Sequence, residues 1–329
     1  MQVAQLHAFG NPPDVVECLS KPAPGTVRPD QVLLDMLAGP INPAEILLIQ
    51  GRYAAKPELP CGLGIEGVGR VRATGVEVTG LQIGDLVLSL DRQSWAEQCL
   101  LQAQHVIKLP ADIDIQQAAM LKVNPATALK MLTDYVALQK GDWVIQNAAN
   151  SAVGTCLIQL AKARGLHTVN VVRRDALRKP LEQLGANIVL VDGDNLAERV
   201  REAIGGASIL LAIDAVAGSA CERLADCLAE GATVVNYGLL SGQSCQLRAD
   251  QTIFKGITLT GFWLAKVMRG MRYSELTALY TELAEKVMAG ELKIDVEASY
   301  PLSQIKQALA HAMREARSGK ILILPNENV

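Results

Sequence analysis

From Asp142 to Thr260 the chain alternates between short apolar runs and amphipathic stretches, and this alternation constrains the fold more than any other feature. The runs are Trp143-Val144-Ile145, Thr168 to Val172, Ile188 to Val191, Ile209 to Ile213, Thr233 to Val235 and Ile257 to Thr260. Between them lie segments with helical spacing. In Ala152 to Arg164, for example, Val153, Leu157, Leu160 and Ala161 share one face. Strands that are apolar throughout and alternate with helices of about 10–15 residues predict βαβ units. Such units build a parallel sheet with helices on both faces. The expected class is α/β, with a doubly wound parallel sheet.

The flanking segments read differently. The first hundred residues are punctuated by Gly and Pro, among them Pro12-Pro13, Pro24-Gly25, Gly39-Pro40, Gly51, Pro57 and Pro60, with short apolar runs between them. That pattern predicts a small, irregular β domain. The character changes near residue 115, where Gln116 to Leu132 has helical spacing, and again after Phe262. A helix over about Ser274 to Met288, a strand at Ala298 to Tyr300, a helix from Gln304 to Ala316 and a last strand at Ile321 to Leu324 follow. A length of 329 residues fits two domains. With only three Phe, three Trp and six Tyr, the core must be built from Val, Ile, Leu and Ala.

Composition excludes some functions. Lys and Arg total 31 against 34 Asp and Glu, so there is no basic footprint for nucleic acid. No apolar run reaches the roughly 18 residues of a membrane span. Met1 to His7 reads as a strand, without the charged start and apolar stretch of a signal peptide. The seven cysteines are scattered with no C-x-x-C pair, which points to reduced thiols and to a cytoplasmic protein.

The strand ending at Ile145 runs through Gln146-Asn147-Ala148-Ala149-Asn150-Ser151-Ala152-Val153-Gly154 into a helix. In a dinucleotide-binding unit this turn meets the pyrophosphate, whose charge the helix N-terminus stabilises. The usual three glycines are reduced to Ala149, Ser151 and Gly154, still small enough for close approach. An NAD site carries an acidic residue at the end of the next strand; here Arg173-Arg174 stands there. Guanidinium groups pair with a 2′-phosphate, which favours NADPH.

Several motifs resemble those of the medium-chain dehydrogenase/reductase superfamily over essentially the whole chain. They include Ile41-Asn42-Pro43-Ala44-Glu45, Ile49-Gln50-Gly51-Arg52-Tyr53, Val123-Asn124-Pro125-Ala126-Thr127-Ala128, Asn150 to Gly154, Tyr237-Gly238 and Gly261-Phe262-Trp263-Leu264. Within the superfamily the chain is most similar to the zinc-free, mitochondrial-type enoyl-CoA/ACP reductases, with quinone oxidoreductases next. The resemblance implies a Rossmann NADP-binding domain (119–264) inserted in a GroES-like catalytic domain (1–118 and 265–329), with ligands in the cleft between them. It also implies a homodimer.

Zinc-dependent members of the superfamily supply Cys, His and Cys ligands. The matching places here hold Gly39-Pro40-Ile41, Ile65 and Val123, so no catalytic metal is expected. In its place the resemblance implies Tyr53 as proton donor or as hydrogen-bond donor to the substrate carbonyl. Asn42, Tyr53 and Trp263 would contact substrate. Cofactor contacts would come from Asn124 and Thr127 and from Asn150, Ser151, Ala152, Val153 and Gly154. Arg173, Arg174 and Asp175 would surround the 2′-phosphate. Tyr237, Gly238, Leu239, Leu240, Phe262, Trp263, Leu264, Ala265 and Lys320 complete the expected set. The implied reaction is NADPH-dependent reduction of the C2=C3 bond of a trans-2-enoyl thioester carried on CoA or acyl carrier protein. Two alternatives stay open. One is a quinone or activated-alkene reductase, since Cys61-Gly62-Leu63-Gly64 is similar to the quinone reductases. The other is an NADPH-binding protein without turnover.

Overall fold

The structure is a computed structural model that describes residues 1–315 and 317–326. In chain order the strands are β1 (Gln2–Leu6), β2 (Val16–Ser20), β3 (Gln31–Pro40), β4 (Cys61–Gly62), β5 (Gly67–Thr74), β6 (Leu86–Ser89), β7 (Gln98–Gln102) and β8 (Val106–Lys108). They continue as β9 (Trp143–Gln146), β10 (His167–Val172), β11 (Ile188–Val191), β12 (Ile209–Asp214), β13 (Thr233–Asn236), β14 (Thr258–Gly261), β15 (Val296–Pro301) and β16 (Lys320–Leu324). The chain divides into two compact units, Met1–Val123 with Arg272–Val329, and Asn124–Met271.

The second unit holds the parallel sheet that the alternation predicts. Its strand order is β11-β10-β9-β12-β13-β14, and every neighbouring pair is parallel. Numbered from β9 this is the doubly wound order 3-2-1-4-5-6, with the reversal between β9 and β12. The apolar runs fill the core: Ile145, Val169, Val171, Ala212 and Val234 are buried together with Leu224 from the Gly218–Asp226 helix.

The first unit is β-rich. One sheet has the order β2-β1-β4, and a larger one runs β15-β16-β3-β5-β6-β8 with β7 also paired to β3. The C-terminal strand β16 lies antiparallel to β3, so chain from both ends shares one sheet. Trp95 is fully buried beside Leu6, Leu309 and Ile321.

Three local expectations change. The segment Gln116 to Leu132 is not one helix but two, Ile115–Ala119 and Asn124–Thr133, separated by a turn. The cause is Pro125. It has no N–H for the Leu121 carbonyl, and its ring would clash there, but it is tolerated in a helix's first turn. The Gly/Pro-rich stretch also contains an unexpected helix, Pro43–Ile49, with Pro43 at its start. The helix expected to reach Ala316 ends at Ala312, and Ala316 lies outside the described residues.

Candidate active site

In the second unit the strand ends converge on the turn after β9. Ser151 caps the helix Ala152–Ala163, its Oγ accepting from Gly154 N at 3.1 Å. The first N–H groups of a helix have no partner within it, and the dipole there favours an anion. The turn tolerates only glycine at 154, because a Cβ would lie 2.5 Å from the Ala149 carbonyl oxygen. Gln146 Nε2 ties the turn to the sheet by donating to Gly154 O (3.0 Å) and Asn170 Oδ1 (2.8 Å). These features would suit the pyrophosphate of a dinucleotide.

Asp214, fully buried at the end of β12, is a hub that the sequence reading missed. Its carboxylate accepts from Asn147 Nδ2 (2.6 Å), Asn236 Nδ2 (2.8 Å) and the backbone N–H groups of Val216 and Ala217 (both 3.0 Å). It thus joins the C-terminal ends of β9, β12 and β13. Cys221 and Cys245, scattered in sequence, approach the same carboxylate, with ligand-capable atoms within 4.8 Å. The hydrogen-bond donors already around Asp214 make it a structural group.

Several of the expected cofactor residues stand at these strand ends. Tyr237, directly after β13, meets the Ser151 hydroxyl, and burial pushes its own hydroxyl up to about 12. Gly238 closes against Ala215, and Leu239 and Leu240 are exposed. Arg173 and Arg174 are exposed immediately past β10 and form no ion pair among the described residues. Their neighbour Arg178 is committed, donating to Val189 O at 2.6 Å and to Asp175 Oδ1 at 3.2 Å. Asn124 and Thr127 are buried in one helix. Phe262 packs edge-on to Tyr135, with centroids 6.5 Å apart. Trp263 caps the helix Leu264–Arg269, which contains Ala265, and Arg269 stacks 5.2 Å over its ring.

In the first unit the helix Pro43–Ile49 organises the remaining residues. Asn42 is its N-cap residue, and Glu45 Oε2 accepts from Asn42 N at 2.8 Å. At the other end Gly51 adopts φ +69°. Gly51 N donates to Leu48 O (2.9 Å) and Arg52 N to Leu47 O (2.8 Å). This paired closure, with a left-handed glycine, stops the helix sharply. Tyr53 follows at once, half-buried against a cluster that contains Ile41, Leu48 and Ile49.

A buried charged cluster lies at the helix start. Lys320 Nζ donates to the Asn42 side-chain oxygen and to Ile41 O. Asn42 Nδ2 donates to Glu66 Oε1 (2.7 Å), and Glu66 Oε2 accepts from Val123 N (2.8 Å). Glu45 Oε1 accepts from Ile65 N (2.8 Å). Lys122 Nζ donates to the carbonyls of Ile65, Leu90 and Asp91 at 2.6, 2.6 and 3.0 Å. Burial raises Glu45 to about 7 and also raises Glu66, while it lowers Lys122 to about 8. Glu45 and Glu66 were not anticipated. The spacing Asn42-x-x-Glu45 is a capping-box signature that could have revealed the first of them.

Comparison with known proteins agrees with this construction. Residues 28–111 match the family described as "Alcohol dehydrogenase GroES-like domain", and residues 152–282 match "Zinc-binding dehydrogenase". The enoyl-[acyl-carrier-protein] reductase of Dictyostelium discoideum is 34% identical, over 97% of this chain and 93% of that protein. The chain belongs to the medium-chain dehydrogenase/reductase superfamily, close to its enoyl reductases and quinone oxidoreductases. Among solved structures, a putative NADPH:quinone reductase from Bacillus thuringiensis has a TM-score of 0.91 at 30% identity, covering 99% of each chain. The complex of Etr1p with NADP and crotonyl-CoA has a TM-score of 0.89 at 27% identity, covering 98% of this chain and 99% of the other.

Two points follow. The cytoplasmic expectation is overturned, because the Dictyostelium relative and those of Homo sapiens and Arabidopsis thaliana are all named mitochondrial. Free thiols report a reducing environment, not which compartment provides it, so the inference from cysteines reached too far. The second point concerns zinc, which one family description names. At the corresponding positions Ile41, Ile65 and Val123 offer no ligand side chain. The nearby Glu45 and Glu66 oxygens accept hydrogen bonds from Asn42, Ile65 and Val123. The residues do not fit a zinc site.

Proposed function

We propose that the chain is an NADPH-dependent oxidoreductase that reduces the C2=C3 double bond of a trans-2-enoyl thioester. The observation that carries this reading is the near full-length similarity to enoyl-[acyl-carrier-protein] reductases. The fold match to a structure holding NADP and crotonyl-CoA supports it. The second unit serves as the NADP-binding domain and the first as the catalytic domain.

When bound, NADPH supplies hydride to the substrate's β-carbon. The chain's own residues do the rest. The Asn150–Gly154 turn binds the pyrophosphate at a helix N-terminus. Arg173 and Arg174, which form no ion pair among the described residues, pair with the 2′-phosphate, and Asp175 borders them. Asn124 and Thr127 border the nicotinamide, and Tyr237 to Leu240 and Phe262 to Ala265 line the rest of the cofactor's path. Trp263 contacts the substrate, whereas Asn42 is buried with its carboxamide held by Lys320 and Glu66. Tyr53 donates its hydroxyl proton, either as a hydrogen bond to the thioester oxygen where negative charge builds or to the α-carbon.

Reduction of a quinone is the second reading, favoured by the Bacillus thuringiensis fold match. NADPH consumption measured with enoyl-CoAs of several chain lengths, benzoquinone and an enone decides between them. Turnover of enoyl-CoA is expected; turnover of benzoquinone alone would establish the second reading. We assign the assembly as a homodimer, supported by β14. It is one of the two edge strands of the parallel sheet, and Leu259 on it and nearby Ile253 and Phe254 are exposed.

A further inference from the structure

The buried cluster around Asn42 has a geometry that suits mechanical control of Tyr53. One short helix joins the two sites. Asn42 stands at its start, and the glycine-closed turn at its end delivers Tyr53. A seven-residue helix is a rigid spacer of about 10 Å, so a constraint at one end is carried to the other. At the start, Lys320 holds the Asn42 carboxamide oxygen, Glu66 holds its nitrogen, and Glu45 holds its backbone N–H. These bonds draw on β16, the 65–66 loop and the chain at Val123, elements far apart in sequence. An ammonium with all its carbon stem buried is stable there only because the carboxylates balance it.

We propose that Lys320 and Glu66 are positioning residues. Through Asn42 they pin the N-terminus of the Pro43–Ile49 helix and so fix where Tyr53 stands in the first unit. This rests on the reading of Tyr53 as the proton or hydrogen-bond donor, and it gives Lys320 a part other than direct contact with the cofactor.

Removing Lys320 leaves two buried carboxylates with a shared excess of negative charge. The other charged or titratable groups facing the cluster are Lys122, Asp91 and Arg92, together with Tyr280, whose hydroxyl donates to Lys122 O at 3.2 Å. The carboxylates of a Lys320→Met variant therefore keep their proton to higher pH than in the wild type. As pH rises they ionise without Lys320 to balance them, and the clamp on Asn42 fails. Glu66→Gln in the same chain removes the excess charge.

The test is steady-state kinetics from pH 6 to pH 8.5 on wild type, Lys320→Met, Lys320→Arg, and Lys320→Met with Glu66→Gln. For Lys320→Met we expect kcat at pH 8 to fall about tenfold or more, the scale of a small misplacement of a reacting group. The loss should shrink toward pH 6, with little change in KM for NADPH. Lys320→Arg and the double variant should recover most of it. A raised KM for NADPH with kcat intact would instead make Lys320 a cofactor contact. A folded double variant no better than Lys320→Met would also overturn the proposal. Hydrogen exchange of peptides spanning 42–53 gives a readout that needs no substrate. Exchange should be faster in Lys320→Met at pH 8, and protection equal to wild type would overturn the proposal even if no enoyl thioester is turned over. Wild type inactive on every enoyl thioester would count against the proposed reaction, not against the clamp.

Discussion

Tyr53 and the Arg173-Arg174 pair carry the two sharpest expectations at the scale of single residues. Replacing Tyr53 by Phe deletes one oxygen and leaves the apolar packing against Ile41 and Leu48 in place. General acid assistance is worth about 10²–10⁴-fold, so kcat for enoyl-CoA should fall by that order while NADPH affinity, read by fluorescence titration, stays constant. A fall of less than threefold would remove Tyr53 from the chemistry. Arg173→Ala and Arg174→Ala each remove a charge-assisted partner worth about 1.5–3 kcal/mol. The dissociation constant for NADPH should rise at least tenfold and that for NADH hardly at all; equal losses would refute the 2′-phosphate assignment. The arginine pair was read from its place at a strand end, and Tyr53 from the resemblance of the motif around it. Asp214 was not legible. It is a lone acidic residue at the end of an apolar run, and its four donors come from two other strand ends and the turn after β12.

Elements show where local rules win and where they yield. The six strands of the parallel sheet lie where the apolar runs place them, with ends shifted by a residue or so. The Gln116–Leu132 periodicity was real, but Pro125 split it, and the capping signals around Pro43 were hidden in a Gly/Pro-rich stretch. Near the C-terminus, β15 and β16 are tied by one side chain. Glu297 accepts from His311 Nε2 (2.8 Å), from Ser318 N (2.6 Å) and Oγ, and from Gly319 N just before β16. These donors, led by His311, hold its carboxyl at about 2, well below its ordinary value of 4.5. A group depressed in the folded state contributes stability above its unfolded pKa and loses it as pH falls through the folded one. Glu297→Gln should therefore lower Tm at pH 7, and the gap to wild type should close between about pH 4.5 and pH 2 in a thermal melt series. A gap that stays constant over that range would show that the ionised form contributes nothing.

At the scale of the whole molecule the β14 edge of the parallel sheet is the feature with the clearest consequence. An exposed edge strand offers unpaired backbone groups to another chain, and β14 has exposed residues along most of its length. A charged residue at its centre, as in Leu259→Lys, should convert a dimer to a monomer in analytical ultracentrifugation without changing the far-UV spectrum. An unchanged sedimentation coefficient would place the interface elsewhere. No helix among the described residues is long and apolar enough to cross a membrane. The charge balance that argued against nucleic acid stands beside a family of small-molecule reductases. The scattered cysteines could not report the compartment, because free thiols mark a reducing environment and not which compartment supplies it.

By itself the sequence determined the parallel α/β sheet, the strand–turn–helix that runs from β9 into Gly154, and the positive charge at the end of β10. Each depends on residues within a few positions of one another, where periodicity and backbone sterics act. The tertiary structure alone decided that Lys320 would meet Asn42 across 278 positions of chain and that Glu66 would reach both Asn42 and Val123. It also brought Cys221 and Cys245 together at Asp214. Buried polar partners are chosen by the need to satisfy charge and hydrogen bonds once water is excluded, and that need has no period along the chain.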